Sequence, residues 1–481
     1  MSESTIPTAE GNLTVYDKYT AEPIASLSQH HEDRVDGVIA AGVAAARVAA
    51  ALPRHRRASI LTGAADLLQD RAERVARLLV AEAGKTIRQA RREVARAVNT
   101  LRLSASESQR NAGEVIPFDS FPDDRERRGW FTRQPLGLIV AITPYNDALN
   151  LVAHKLGPAI AGGNAVILKP SNQTPLTARL LVDLLVEAGL PEEVVTVVLG
   201  DRAITRALVR AREVRMVSFT GGFATGEAIS AIAGVKRLAM ELGGNAPVIV
   251  FPDADIELAV ECCVSGAFWA AGQNCIGAQR ILVHRDIAQR FRDEFVLRTG
   301  RLVCGDPRNE DTDVGPMISR EAANAARATI LEAVEAGARL LIGGELIGGE
   351  LIGAEQTGAE QTGSVLTPAV LSGVPRRCRL WEDEVFAPIV LIDVFDDEES
   401  AVSAANDGEY ALQAGVFTND LALALRVADA IEAGGVMIND SSDYRLDAMP
   451  FGGSKYGSMG REGVRFAYEE MTQPKVVAIA S

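Results

Sequence analysis

The residues best suited to covalent chemistry lie in 268-FWAAGQNCIGAQR-280, where Cys275 follows Gly272 in a polar, glycine-containing segment. A thiolate there is a candidate nucleophile for a carbonyl carbon. The competing reading is a buried core cysteine, which suits Cys262 and Cys263 in the apolar 258-LAVECCVSGAFW-269 better. Glu241 in 240-MELGGN-245 begins a turn made by Gly243 and Gly244 after a strand-like run. Alone it reads as a solvated loop glutamate; set across a cleft from a cysteine, it becomes a candidate base for activating water. Asn146 in 143-TPYNDALN-150 stands where an apolar strand turns into a helix. Its amide either donates to a developing oxyanion or caps that helix.

A second group of residues suits an anion. The segment 217-VSFTGGFATG-226 reads as strand, glycine turn and helix. Gly221 and Gly222 allow close backbone approach, and a helix N-terminus favours negative charge. The spacing is not G-x-G-x-x-G, so the turn alone does not specify a dinucleotide. In 169-KPSNQTP-175, after another strand, Lys169 supplies a cation beside the same crevice.

The elements that must position these groups follow from periodicity. The β-rich runs 138-LIVAIT-143, 165-AVILK-169, 194-VVTVV-198, 214-VRMVSF-219 and 247-PVIVF-251 alternate with helical segments. That alternation predicts an α/β fold with a mainly parallel sheet covered on both faces. Thr174 and Pro175 read as N-cap and first residue of one helix, ended by Gly189. Residues 33–111 are helical in composition, with one helix expected over 59–84 and Gly84 as its C-cap. Arg125, Arg127 and Arg128 lie in a strand-like stretch between Pro122 and Pro135, and a second α/β stretch runs from about 253 to 440. Residues 345–363 hold two short tandem duplications, read as an expanded surface loop without chemistry of its own.

Composition bounds the partners. At 481 residues the chain has room for about three domain-sized units. Asp plus Glu number 64 against 49 Lys plus Arg, a net charge of −15, so phosphate backbones and anionic membranes are poor partners. No run reaches the apolar length of a membrane span, and Met1 to Thr5 lack the pattern of a secretory signal. Five cysteines without a C-x-x-C pair read as reduced thiols of a cytoplasmic protein. The five histidines show no metal-ligand spacing, so no metal site is expected.

In collinear order, TPYN, GNAVILKPS, FTGGFATG, ELGGN, GQNC, 382-EDEVFAP-388 and 449-MPFGGSK-455 resemble the aldehyde dehydrogenase superfamily, from about residue 12 to 476. The resemblance implies an aldehyde-dehydrogenase fold in parts. A Rossmann-like cofactor domain would occupy 1–118 and 136–244, and an α/β catalytic domain 245–450. A small β oligomerisation flap would take 119–135 and 467–481, with 451–466 returning to pack on the cofactor domain. It also implies a homodimer or homotetramer.

Residue by residue, Cys275 matches the nucleophile, Asn146 with the Cys275 backbone N–H the oxyanion donors, and Glu241 the base that deprotonates water. Lys155 and Glu462 match an accessory pair beneath the site. Cofactor contacts are implied for Thr143, Pro144, Tyr145, Lys169, Ser171, Asn172, Arg202, Thr220, Gly221, Gly222, Thr225, Gly226, Leu242, Glu384 and Phe386. Asn172 stands where many NAD-preferring members carry a glutamate, so NADP is expected to be accepted beside NAD. Gly222 stands where serine is common. Asp147, Asn150, His154, Asn274, Ile276, Arg445 and Phe451 match substrate-facing positions.

That polar set suits a small polar or anionic aldehyde, with Asp147 opposing strong negative charge unless it pairs with Arg445 or His154. The segments 150-NLVAHK-155 and 443-DYRLDAMPF-451 resemble the lactaldehyde, phosphonoacetaldehyde and non-phosphorylating glyceraldehyde-3-phosphate branch. The phosphorylated-triose members often place arginine before the nucleophile, where this chain has Asn274. A semialdehyde such as succinic semialdehyde, its carboxylate on Arg445, is the alternative substrate. A catalytically silent binding homologue is the alternative of another class.

Overall fold

Apolar runs bounded by polar turns form the central strands of two sheets in the computed structural model, which describes residues 11–110, 112–122, 126–347 and 363–480. The first sheet runs Ser458–Met459, Arg237–Glu241, Val214–Thr220, Leu138–Ile142, Ala165–Lys169 and Val195–Val197. Its strands are parallel except at the Ser458–Met459 edge. Both faces are covered, and period-two alternation divides the central strand between them. Ile139 and Ala141 enter the core under helices Arg54–Asp70, Ile87–Arg110, Asn150–Gly162 and Pro175–Glu187. Leu138, Val140 and Ile142 enter the core under Val35–Ala51, Arg202–Arg210 and Phe223–Ala233.

The second sheet runs Arg339–Ile342, Ala369–Ser372, Ile389–Phe395, Ala278–His284, Ala246–Val250, Gln413–Phe417 and Gly435–Ile438. Only Arg339–Ile342 is antiparallel to its neighbour. A separate three-stranded antiparallel sheet joins Thr472–Ala480, Arg127–Pro135 and Gly113–Val115. Arg127 and Arg128 are thus on a strand, while Arg125 lies outside the described residues. Of the duplicated segment only its two ends are described, with Leu346 paired to Leu366 and Ile347 to Val365. Among the described residues no single helix is long and apolar enough to cross a membrane.

Three local expectations differ from the structure. The helix expected over 59–84 is interrupted at Arg71, whose φ of −103° and ψ of 15° separate Arg54–Asp70 from Ala72–Ala83. Arg71 instead reaches Glu187 across the surface, and Gly84 ends the second helix in the left-handed region as expected, with φ 75°. Thr174 occupies the N-cap position before Pro175, but its hydroxyl caps nothing. The free N–H groups of Leu176 and Thr177 donate at 2.8 and 2.7 Å to the buried carboxylate of Glu82, from the neighbouring helix. Asn146 caps no helix either, because Glu93 accepts from the N–H groups of Leu149 and Asn150 at 2.8 and 3.1 Å. In both places a carboxylate from a distant helix takes the work of a local cap.

The placement of the two sheets makes the site. Asn146, Thr220 and Glu241 lie at or just past carboxyl ends of first-sheet strands, at the point where strand order reverses. Cys275, Phe386 and Leu412 stand just before amino ends of second-sheet strands. One cavity lies between these two sets of ends.

Burial pushes the Glu82 carboxyl up to about 7, opposed by its hydrogen bonds to Thr177 and Leu176. Glu82→Ala would leave two buried N–H groups unsatisfied at the start of Pro175–Glu187, costing about 1–3 kcal/mol. Thermal unfolding of the variant should show a midpoint lower by several degrees. An unchanged midpoint would mean that Glu82 does not cap that helix.

Candidate active site

Cys275 is held by a loop whose backbone is over-determined. Ala270, Ala271 and Gly272 all have positive φ, at 51°, 54° and 67°. For the two alanines this costs about 1–2 kcal/mol each. Gly272 has no alternative, since a Cβ there would lie 2.0 Å from the Ala387 carbonyl oxygen. The Gln273 side chain donates to the Ala270 carbonyl at 3.1 Å and accepts from the Ile318 N–H at 2.9 Å. Past the cysteine, Asn274 accepts from the Ile276 N–H at 3.3 Å, and Ser442 donates to the Ile276 carbonyl at 2.8 Å. Four bonds and one steric contact therefore fix five residues.

The glycine pair after Glu241 is explained by what it touches. A Cβ on Gly244 would lie 2.2 Å from the Cys275 carbonyl oxygen, and one on Gly243 would lie 2.4 Å from a carboxylate oxygen of Glu384. The Gly244 N–H donates to Glu384 at 3.0 Å. The turn thus fits between the cysteine loop and a buried glutamate that burial pushes up to about 7.

Cys275, Glu241 and Asn146 line one cavity of about 590 Å³, together with Asn274, Ile276, Arg445 and Phe451. Pro144, Tyr145, Asp147, Thr220, Gly221, Gly222, Glu384 and Phe386 line it too. Glu241 is buried, and one of its oxygens has no hydrogen-bond partner. Burial and then the charge of Glu462 push its carboxyl well above the usual range, against Arg445 and Lys155. The Cys275 thiol is also pushed far up, by burial first and then by Glu384, Glu241 and Asp147; Arg445 alone of the nearby charges pulls it down. Both shifts favour the protonated forms of the two reactive groups.

Beneath them Glu462 is ionised. Burial opposes this, but Lys155 and Arg445 outweigh it and hold the carboxyl well below its usual range. Lys155 stands 3.2 Å from one carboxylate oxygen, which also accepts from the Thr220 hydroxyl at 3.0 Å; Arg445 donates to the other at 2.9 Å.

Several substrate-facing expectations fall elsewhere. Asn150 and His154 do not reach the cavity; both are buried and bonded to Asp447 Oδ1, at 3.2 and 3.0 Å. They face the helix interior, where an ionised Asp447 takes their hydrogen bonds. Arg445 lines the cavity but is committed to Glu462, with its guanidinium 3.7 Å from the Phe451 ring centroid. Asp147 pairs neither with Arg445 nor with His154. It is clamped by Lys85 and Arg96, the latter at 3.3 Å. Sequence reasoning missed Lys85, Arg92 and Arg96, all of which line the wall. Arg92 and Arg96, four residues apart on one helix, were the available signal. Cys262 also lines this cavity, whereas Cys263 is fully buried.

The expected cofactor contacts divide. Gly221 and Gly222 stand at the start of Phe223–Ala233, with Gly222 as its N-cap and open space where its side chain would be. A Cβ on Gly226 would lie 2.2 Å from Leu242, so those two are packed together. Lys169, Ser171, Asn172, Arg202, Thr143, Thr225, Gly226 and Leu242 lie outside the cavity. Lys169 is buried and touches only the Pro170 carbonyl, at 3.4 Å. Asn172 donates to the Gly200 carbonyl at 3.0 Å while its own oxygen is buried without a partner, as are the hydroxyls of Thr143 and Thr174. An open glycine turn at a helix N-terminus and orphaned polar atoms on the adjoining strand ends suit a dinucleotide. Neutral Asn172 suits a ribose 2′-hydroxyl or a 2′-phosphate.

Comparison with known proteins gives the same result from another direction. The profile of the aldehyde dehydrogenase family matches residues 6–477. The chain is 55% identical over 479 residues to aspartate-semialdehyde dehydrogenase 1 of Pseudomonas canavaninivorans, covering 100% of this chain and 99% of that one. It is 40% identical over 473 residues to 3-sulfolactaldehyde dehydrogenase of Priestia aryabhattai, covering 98% and 95%. The structure of glyceraldehyde-3-phosphate dehydrogenase GapN from Methanocaldococcus jannaschii, complexed with NADP, superposes with a TM-score of 0.90 at 37% identity, covering 97% and 99%.

Alkylation of Cys275 by iodoacetamide in the cofactor-free protein should be slow at pH 7 and accelerate steadily as pH rises. Arg445→Gln should slow it further, because the nearest cation is removed and the thiol pKa rises. Faster alkylation in that variant would contradict the electrostatic role of Arg445.

Proposed function

The chain belongs to the aldehyde dehydrogenase family and is an NAD(P)-dependent oxidoreductase, and from that premise we propose that it oxidises a short aldehyde bearing an anionic group to the carboxylic acid through Cys275. The observation that carries this reading is the convergence of Cys275, Glu241 and Asn146 on one cavity whose wall also bears Arg92, a cation in no salt bridge among the described residues. Two relatives carry names of short aldehydes that bear an anionic group, aspartate semialdehyde and 3-sulfolactaldehyde. A neutral hydroxylated aldehyde is the second reading, supported by lactaldehyde dehydrogenases at 36–37% identity.

The mechanism follows from the residues. The Cys275 thiol gives its proton to solvent water and its sulfur bonds to the aldehyde carbon, the C=O π pair moving to oxygen to give a tetrahedral thiohemiacetal anion. The Asn146 amide and the Cys275 backbone N–H donate to the oxygen as it gains charge. Gly221, Gly222, Glu384 and Phe386 would hold the cofactor, which when bound would supply the hydride acceptor. Loss of hydride from the former aldehyde carbon leaves a thioester on Cys275. Glu241, once its own proton has passed to solvent, takes a proton from a water that adds to the thioester carbon, and then returns that proton to the departing thiolate. The acid leaves and the thiol is restored. Glu462 stays charged throughout and gives Glu241 a high proton affinity.

We also assign assembly as a dimer or tetramer to the three-stranded sheet. Its Thr472–Ala480 strand has one unpaired edge and exposes Val476 and Ile479. Light scattering should report two or four subunits.

Cys275→Ala should abolish reduction of either cofactor by any aldehyde. Glu241→Gln should give about one equivalent of reduced cofactor per site and then a steady rate roughly 10²–10⁴-fold lower. Wild-type protein indistinguishable from Cys275→Ala would instead make the chain a silent homologue.

A further inference from the structure

The charges on the cavity wall do not cancel uniformly. Lys85 stands 2.6 Å from Glu93 and also clamps Asp147. Arg96 bridges Asp147 and Asp447 at 3.3 and 3.0 Å, and Arg445 is bound to Glu462. Glu261 is paired with Arg298 at 3.1 Å. Among the described residues this leaves Arg92 as the one wall cation with no carboxylate partner. It is exposed, one helical turn from Arg96, with its guanidinium 5.2 Å from the Trp269 ring centroid.

Among the described residues four wall carboxylates form no salt bridge: Glu241 and Glu384 beside Cys275, and a second pair farther along the wall. Asp440 and Asp443 sit three residues apart in the loop after Gly435–Ile438 and border the same cavity. Asp443 presses on the helix Ile256–Phe268, where a Cβ on Gly266 would lie 2.8 Å from its Oδ1. Burial, and then the charge of Asp440, push its carboxyl up to about 6, only partly relieved by Arg92. Burial and Asp440 likewise push the adjoining Cys262 thiol up to about 11. Asp440 and Asp443 thus rest on this wall with hydrogen bonds from Ser441 and with Arg92 as the nearby cation, but with no salt bridge among the described residues.

One free guanidinium suits a carboxylate or sulfonate, and two free carboxylates repel a second anionic group and favour an ammonium. A dianionic phosphonate meets attraction on one wall and repulsion on the other. We propose that Arg92 and the Asp440–Asp443 pair form a zwitterion-reading subsite, and that the substrate is a short 2-amino acid bearing a terminal aldehyde. Arg92 receives its carboxylate and the Asp440–Asp443 pair its ammonium, while the aldehyde reaches Cys275. This rests on the reading of the cavity as an aldehyde-oxidising site and assigns the residues that choose among short aldehydes.

The test uses three four-carbon probes: aspartate semialdehyde with both groups, succinic semialdehyde with the carboxylate alone, and butanal with neither. Ratios of kcat/KM between probes cancel general damage to the enzyme. Asp443→Asn should lower the ratio of aspartate semialdehyde to succinic semialdehyde by roughly 10-fold or more, the worth of one charged hydrogen bond. Arg92→Gln should lower the ratio of succinic semialdehyde to butanal by a similar factor. Ratios unchanged in both variants, including uniform loss on all probes, overturn the proposal. So does a wild-type preference for succinic semialdehyde over aspartate semialdehyde, which leaves aldehyde oxidation itself intact. Failure of wild type to oxidise any of the three overturns the proposal, and matching failure on a wider aldehyde panel would remove the underlying reading as well.

Discussion

The buried carboxylate of Glu462 is the constraint that holds the site together. It accepts from Lys155 on a helix covering the first sheet, from Thr220 at a strand end of that sheet, and from Arg445 in a loop leaving the second. Glu462 itself lies between the Ser458–Met459 edge strand and the helix Val464–Glu470. Four segments distant in sequence thus meet on two oxygens. Such a buried pair adds little over an apolar packing of the same shape, but losing one partner costs about 3–5 kcal/mol. Its value lies in specifying one arrangement.

The same charge divides labour between carboxyl groups. Because Glu462 is kept ionised by two cations, its neighbour Glu241 is driven towards the protonated form. Two carboxyls in unlike surroundings acquire unlike affinities for a proton, which is what acid and base functions need. The thiol of Cys275 is held protonated by burial and by surrounding carboxylates. The free site is therefore poorly nucleophilic. Its reactive groups must give up their protons before they act as nucleophile and base.

Much of this was legible from residue order. The fully buried strands Leu138–Ile142 and Ala165–Lys169 read as apolar runs because both faces are covered. The cysteine, glutamate and asparagine announced themselves by glycine-rich or turn contexts, and the cavity brings those three together. What could not be read was the pairing of charges. Asn150, His154 and Arg445 looked like substrate contacts because each is polar at a pocket-like position. Asp447 and Glu462, far along the chain, take those bonds instead. The caps on Pro175–Glu187 and Asn150–Gly162 escaped for the same reason, since Glu82 and Glu93 come from other helices. Local pattern predicts which groups exist; only tertiary packing decides which remain free.

The short ladder joining Leu346–Ile347 to Val365–Leu366 bears on how this gene can change. Leu351 and Ile352 repeat the pair Leu346–Ile347 letter for letter in the sequence that this ladder closes. Closing a loop lengthened or shortened by one such unit alters the entropy by roughly a few tenths of a kcal/mol. A gain or loss of one unit between the two rungs therefore costs the fold little.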